Sequence, residues 1–330
     1  VADSFNPTTQ EHSIIHQIKD WTGSKFIGDD CAMLPGQVLA TVDTLVEGTH
    51  FLTSISSFED IGWKSVAVNL SDIAAMGGVP EYMLVSLTLP ASFTRHEFKR
   101  LYSGIIDCSQ TYRTQVVGGD LTSGPQLVLS ITVLGAWHKN GCLRRSGARP
   151  GDLIVATGDF GASAAGFWFL QNRGNAPVQK LRRPRFPYAT TAHQRPVPRL
   201  EESWALVDGF GSRGALMDTS DGLGDALWQI ATASKVLMQV DLNRVPVHFE
   251  TRKIAALAKT DVQSWVLYGG EDYQLVGCAP EEIWDNWDHE LKTQFAVVGR
   301  VLSGEGVELI RGEQKGPPLE LSKAFQQIHF

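Results

Sequence analysis

Residues 58–78 read FEDIGWKSVAVNLSDIAAMGG, and their apolar spacing is that of one helix. The Gly77-Gly78 pair supplies the stop, because glycine takes the left-handed backbone that closes helices. One residue is out of place. Asp72 sits in a helix whose other face is apolar.

Strands surround this helix on both sides. Upstream, a short amphipathic helix, EHSIIHQIKDW (11–21), leads into the strands KFIGDDCAML (25–34) and LATVDTLVEGTHF (39–51), the latter polar from Glu47 to His50. Downstream come the strand YMLVSLTLP (82–90), stopped by Pro90, and the helix RHEFKRLYSGIIDCSQTY (95–112). Two more strands follow, TQVVGGD (114–120) and LVLSITVLGAW (127–137). Residues 1–137 therefore form one strand-rich α+β unit. The Gly, Pro and basic residues of WHKNGCLRRSGARPGD mark residues 138–150 as a junction. Residues 151–330 form a second α/β unit.

That unit restarts with the strand LIVATG (153–158), then GDFGASAAGFWFLQN (158–172), a glycine-rich turn opening a helix. A basic, Pro-rich crossing (181–200) leads to the helix EESWALV (201–207) and a strand running into MDTSDGLGDALWQIATAS (217–234). LMQVDLNRV (237–245), SWVLYGGEDYQLVGCA (264–279) and one helix at EEIWDNWDHE (281–290) complete the pattern.

Composition narrows the class. The chain has 330 residues, enough for two cores, and is 43% hydrophobic and 20% charged, as globular domains are. A net charge of -7 argues against a nucleic-acid surface. No apolar run approaches the ~18 residues of a membrane span, and VADSFNPTTQ lacks the pattern of a signal peptide. The four cysteines show no metal-ligand spacing and suit free thiols in the cytoplasm. His12 and His16 stand four apart without the Glu of HExxH, so they read as a solvated helix face. GFGSRG (209–214) matches GxGxxG, but it follows a helix and precedes the strand ALMD, the reverse of a dinucleotide loop.

Carboxylates recur where strands end or glycines turn: Asp29-Asp30, Asp43, Asp120, Asp218 and Asp221, with Asp72 in its helix. Each alone reads as a turn or cap residue. Gathered on one rim they would repel, and their pKa values would rise, unless cations were present. Mg²⁺ takes oxygen ligands and keeps places for phosphate oxygens. More carboxylates than one ion can use implies several Mg²⁺ ions, and these imply a polyphosphate, most simply ATP. On this reading, metal and phosphate neutralise the Asp29-Asp30 pair. Gly118-Gly119-Asp120, Arg145 and the GDFGASAAG turn are candidate phosphate contacts.

GDDCAML, TVDTLVEGTHF, WKSVAVNLSDIAAMGG, VVGGDLTSGP, RSGARPGD, HQRPVPR, DTSDGL and GGEDYQL occur in this order. Together they resemble the thiamine-monophosphate kinase family, from about Glu11 to about Ile310. VNLSDIAAMGG alone is shared with the wider superfamily of aminoimidazole-ribonucleotide and selenophosphate synthetases. The resemblance implies two α/β domains, the N-terminal strands of two subunits forming a barrel across a homodimer, and ATP-dependent phosphorylation of thiamine monophosphate to thiamine diphosphate. It implies metal ligands at Asp30, Thr41, Val42 (through its carbonyl), Asp43, Asp72, Asp120, Asp218 and Asp221. Nucleotide contacts fall on Tyr102, Gly119, Asp120, Arg145 and Ser220. Substrate contacts fall on His50, Glu271 and an aromatic near the C-terminus, Phe325 rather than Phe330. Val42 stands where Thr is common, Leu121 replaces a frequent Thr, and AFQQIHF stretches the terminal pattern.

The expected chemistry is direct in-line attack by the substrate's own phosphate, already an oxyanion, so no protein nucleophile or general base is required. The alternatives are another ATP-dependent synthetase of the superfamily, a nucleotide-sensing module, or a metal-dependent phosphatase.

Overall fold

A computed structural model describes residues 10–175 and 185–324. Helix α1 (Gln10–Thr22) is followed by β1 (Ala32–Leu34), β2 (Val38–Val46), α2 (Phe58–Ala75), β3 (Val79–Leu89), α3 (Arg95–Thr111), β4 (Gln115–Ser123) and β5 (Val128–Ala136). These strands make a five-stranded sheet in the order β1-β2-β5-β3-β4, antiparallel except for β3 beside β4. Leu129, Ile131 and Val133 of β5 alternate inward beneath α2, while the partly open face carries Val42, Thr44, Thr132 and Leu84.

Helix α2 is the centre of this unit. Ser57 caps it by accepting from the Asp60 N–H, and Gly77, at φ 68°, closes it as the sequence predicts. Most of its residues are buried, polar Lys64, Asn69 and Ser71 among them. A helix buried this fully must satisfy its polar side chains internally. Their partners define the site below.

The remaining elements are β6 (Leu153–Thr157), α4 (Ala162–Gln171), α5 (Pro187–Gln194), α6 (Leu200–Phe210), β7 (Ala215–Asp218), α7 (Leu223–Ser234) and β8 (Leu237–Asp241). Then come α8 (Phe249–Ala258), α9 (Val262–Tyr268), β9 (Leu275–Ala279), α10 (Glu281–Asp285), α11 (His289–Lys292), β10 (Phe295–Leu302), β11 (Gly306–Arg311) and β12 (Gln314–Lys315). The strands form a seven-stranded mixed sheet, β12-β11-β8-β10-β6-β9-β7. β6, β7 and β9 are buried along their whole length, which explains their unbroken apolar runs.

The structure differs from the sequence reading in several places. Only Ala32–Leu34 of KFIGDDCAML is strand; Asp29 and Asp30 sit in the bends before it, where backbone groups can turn toward the carboxylates. The described part of the basic crossing holds α5, opened by Pro187 at its first turn. EEIWDNWDHE splits into α10 and α11, the second capped by the Asp288 side chain. Both sheets are open within one chain. GFGSRG leads from α6 into β7, as its context predicts. No helix among the described residues is long and apolar enough to cross a membrane.

Candidate active site

Asp72 of α2, Asp30 of the loop before β1 and Asp218 at the end of β7 converge, each offering a carboxylate oxygen within 4.8 Å of the others. The elements around them are tied by buried polar contacts. Thr41 Oγ1–H of β2 donates to Asp72 Oδ2 at 2.5 Å. The Asp43 N–H donates to Asn69 Oδ1 at 2.9 Å, and Ser71 Oγ–H donates to Asp218 Oδ2 at 2.6 Å. Thus α2, β2 and β7 lock the cluster from three sides.

The electrostatics are those of carboxylates short of positive charge. Burial pushes Asp218 up to about 8, with Asp30 adding to the rise. Burial likewise lifts Asp43 to about 6, against the pull of His50. Burial, then Asp43 and Asp218, hold Asp72 well above the ordinary carboxylate range. Asp221, in the turn before α7, is raised by burial and by Asp225.

Within the chain a protein cation also meets the Asp29-Asp30 pair, a partner the sequence reading did not assign to it. Arg145 Nη2 lies 2.7 Å from Asp30 Oδ1 and Nε 3.3 Å from Oδ2. The two neighbours are divided. Asp30 faces the cluster, while Asp29 Oδ1 accepts the Arg145 backbone N–H at 3.0 Å. The guanidinium also contacts Gln229, whose amide donates to Asp225.

The structure does not bring Asp120 to the triad. Its row across the sheet is Asp120, Ser86, Ser130, Thr44, on the face opposite Asp43 and three strand spacings from β2, roughly 14 Å. Val42 points to that same open face at 58% exposure. Gly119 has a φ of 153°, and a Cβ there would meet the Val85 carbonyl at 1.8 Å, so the β3–β4 contact alone requires glycine. Tyr102 is half-buried on α3, its ring 5.4 Å from Phe98. Ser220 accepts the Glu271 N–H through its carbonyl at 2.6 Å.

His50 and Glu271 do meet, in a cavity of about 490 Å³. Phe51, Phe167, Trp168, Trp265 and His193 also line it. Glu271 is reached through Gly270 (φ 65°) and itself has a φ of 57°, an uncommon backbone for a side-chain residue. Lys64 Nζ stands 2.5 Å from Glu271 Oε1 and donates to the His50 carbonyl at 3.2 Å. Burial drives Glu271 up, but Lys64 and His193 together hold it below its ordinary value. His193 is pushed down to about 3 by burial and by Lys64. Phe325 lies outside the described residues. Sequence reasoning missed Lys64 and His193. The signals were a lone cation inside the buried run of α2 and the HQRPVPR stretch, to which no role was given.

Residues 28–137 match the family model described as AIR synthase related protein, N-terminal domain. The match covers the first sheet with α2 and α3, and so Asp30 and Asp72 of the triad but not Asp218. The thiamine-monophosphate kinase of Bacillus subtilis (strain 168) is 37% identical over 287 residues, covering 86% of this chain and 83% of that protein. The thiamine-monophosphate kinase of Escherichia coli (strain K12) is 39% identical over 259 residues, covering 77% and 76%. A solved structure titled AaThiL complexed with AMPPCP and TMP superposes with a TM-score of 0.81 at 30% identity, covering 96% of this chain and 98% of that one. The chain belongs to the thiamine-monophosphate kinase family.

Proposed function

We propose that this protein transfers the γ-phosphoryl group of ATP to thiamine monophosphate, giving thiamine diphosphate, by in-line displacement. The observation that carries the reading is that one helix, α2, serves both places: it carries Asp72 of the triad and, through Lys64, contacts Glu271 and the His50 carbonyl of the cavity. The 30%-identical complex titled with AMPPCP and TMP supports the same pair of ligands.

Three carboxylates within 4.8 Å, two of them raised in pKa, suit a hard divalent cation, and oxygen donors of this kind favour Mg²⁺ over softer ions. In our reading Asp30, Asp72 and Asp218 hold Mg²⁺, with Thr41, Asp43, Asp221 and the Val42 carbonyl completing sites for several ions. Bound there, Mg²⁺ supplies charge neutralisation for the phosphates. Arg145 supplies a fixed cation to the nucleotide, and Ser220 a further contact. Gly119, Asp120 and Tyr102 are assigned as further nucleotide contacts. The aromatic cavity with His50 and Glu271 holds the acceptor, and Phe325 is the third residue assigned to it. The acceptor's oxyanion is the nucleophile, so the chain's work is positioning.

We read residues 1–137 as the nucleotide and dimerisation domain, 138–150 as the junction and 151–330 as the second domain. The change of sheet between Ala136 and Leu153 supports this. A homodimer, closing the two five-stranded sheets into a barrel, is supported by the exposed Val42, Tyr82, Leu84, Val117 and Leu121. It would also give Asp120, remote from its own chain's triad, a route to a shared site. Four buried free cysteines suit a cytoplasmic setting.

The alternative is another ATP-dependent synthetase of the superfamily. A selenium-handling activity needs a reactive thiol near the N-terminus, whereas Cys31 is buried and its thiol is pushed well up. Incubation with Mg·ATP and a panel of monophosphates tests the reading. Diphosphate product is expected from thiamine monophosphate. ATP hydrolysis without any acceptor product would overturn it in favour of a phosphatase.

A further inference from the structure

We infer that Lys64 is the positioning residue of the acceptor cavity, one ammonium group joining its two walls. The inference rests on the functional reading above. Lys64 lies in the second turn of α2 at 3% exposure, between Trp63 and Ser65 and one turn from buried Ile61 and Val68. An ammonium so placed is tolerated only with strong partners. Its partners are the two residues given to the acceptor. Nζ lies 2.5 Å from Glu271 Oε1 and donates to the His50 carbonyl at 3.2 Å.

The two walls come from distant parts of the chain, and each is also held locally: His50 Nδ1 accepts the Val46 N–H at 3.0 Å, and the Glu271 N–H donates to the Ser220 carbonyl at 2.6 Å. His50 lies in the turn after β2, and Glu271 lies in a left-handed backbone after two glycines. Glu271 Oε2 is 3.5 Å from His193 Nδ1, which in turn is 3.1 Å from Ser163 Oγ. Lys64 is thus a charged link between the first sheet's unit and the second at the cavity. The same helix carries Asp72 eight residues on, a rise of about 12 Å. One rigid element therefore sets the spacing between the acceptor anchor and the carboxylate triad. The Lys64–Glu271 pair also leaves little free negative charge in the cavity. Recognition of a cationic ring then falls largely to the faces of Phe167, Trp168 and Trp265.

The test compares full-length wild type, Lys64→Met, Glu271→Gln and the double variant, by steady-state kinetics and by calorimetric binding of thiamine monophosphate. Lys64→Met is expected to raise the acceptor KM and Kd about tenfold or more, with the ATP KM moving less than about threefold. The double variant is expected to be no worse than about threefold beyond the poorer single variant, because the two residues act as one unit. Acceptor constants within about twofold of wild type in Lys64→Met, an equal rise in the ATP constant, or losses that multiply in the double variant would overturn the assignment. If Lys64→Met alone does not fold, the double variant leaves no unpaired buried charge and is compared with Glu271→Gln. Constants within about threefold support the inference, and a further tenfold loss overturns it. A wild type that neither binds nor phosphorylates thiamine monophosphate refutes the functional reading, and the inference with it. An active wild type matched by Lys64→Met overturns the inference alone.

Discussion

Asp30 and Arg145, 115 residues apart, form a two-contact ion pair in which the Asp30 side chain is only 2% exposed and the arginine 19%. The pair ties the loop before β1 to the segment between the two sheets. It also sets a fixed cation at the edge of a triad of carboxylates.

Arg145→Met should therefore act twice. Without its partner, Asp30 adds an uncompensated charge to the cluster, and breaking such a buried pair costs about 3 kcal/mol or more. Millimolar Mg²⁺ should restore part of that loss. If the guanidinium faces the nucleotide phosphates as proposed, the ATP KM should rise about tenfold. Denaturant melts with and without Mg²⁺, alongside initial rates at varied ATP, check both effects. An unchanged ATP constant would confine Arg145 to holding the loop.

Asp43→Asn and Asp72→Asn should each abolish turnover with the fold retained. Each removes an oxygen anion from a crowded set, so the metal-free protein should become no less stable. Retention of more than about a tenth of kcat, roughly 1.4 kcal/mol, would falsify their assignment to the metal site.

The carboxylate cluster also predicts a pH dependence. Asp218, near 8, and Asp43, near 6, lie above their ordinary 3.8 in the folded protein. Between these limits the folded chain holds protons that the unfolded chain has released. The contribution of these two groups to stability is therefore fully present below about pH 4 and declines as pH rises toward 8. Bound Mg²⁺ displaces those protons, so its stabilising effect should grow over the same range. Thermal melts in EDTA and in Mg²⁺ at pH 5.5 and 8 test this; a Mg²⁺ shift that shrinks with rising pH sinks it.

At micromolar concentration the protein should be a dimer. Val42, Tyr82 and Leu84 are exposed at 58%, 43% and 39%, and β4 is an edge strand carrying exposed Val117 and Leu121. Soluble proteins do not leave such an edge uncovered. Light scattering should give twice the chain mass, and Leu84→Asp should give the monomer. A wild-type monomer at that concentration removes the dimer while leaving the phosphoryl chemistry intact.

Much of this could be read along the chain. The period of residues 58–78, the glycines after Ala75 and the apolar runs of β5, β6 and β9 follow from local geometry. The Asp residues at strand ends stood out because a carboxylate in an apolar run demands an explanation. The bends at Asp29-Asp30 and the helix at Pro187–Gln194 were not legible, since each depends on partners far away in sequence. Asp29 turns out to meet the Arg145 backbone, and Gln194 turns toward the Ile55 carbonyl.

The sequence by itself determined the elements, the acidic residues and the family pattern, because periodicity and residue chemistry are local properties. Only the tertiary structure decided which groups share a site. It placed Asp30, Asp72 and Asp218 together but set Asp120 on the opposite face, since strand order and register, not spacing along the chain, fix which side chains meet. It also turned Lys64, one cation in an apolar helix, into the partner of Glu271 more than 200 positions away, because a buried charge is retained only where the fold delivers its counter-charge.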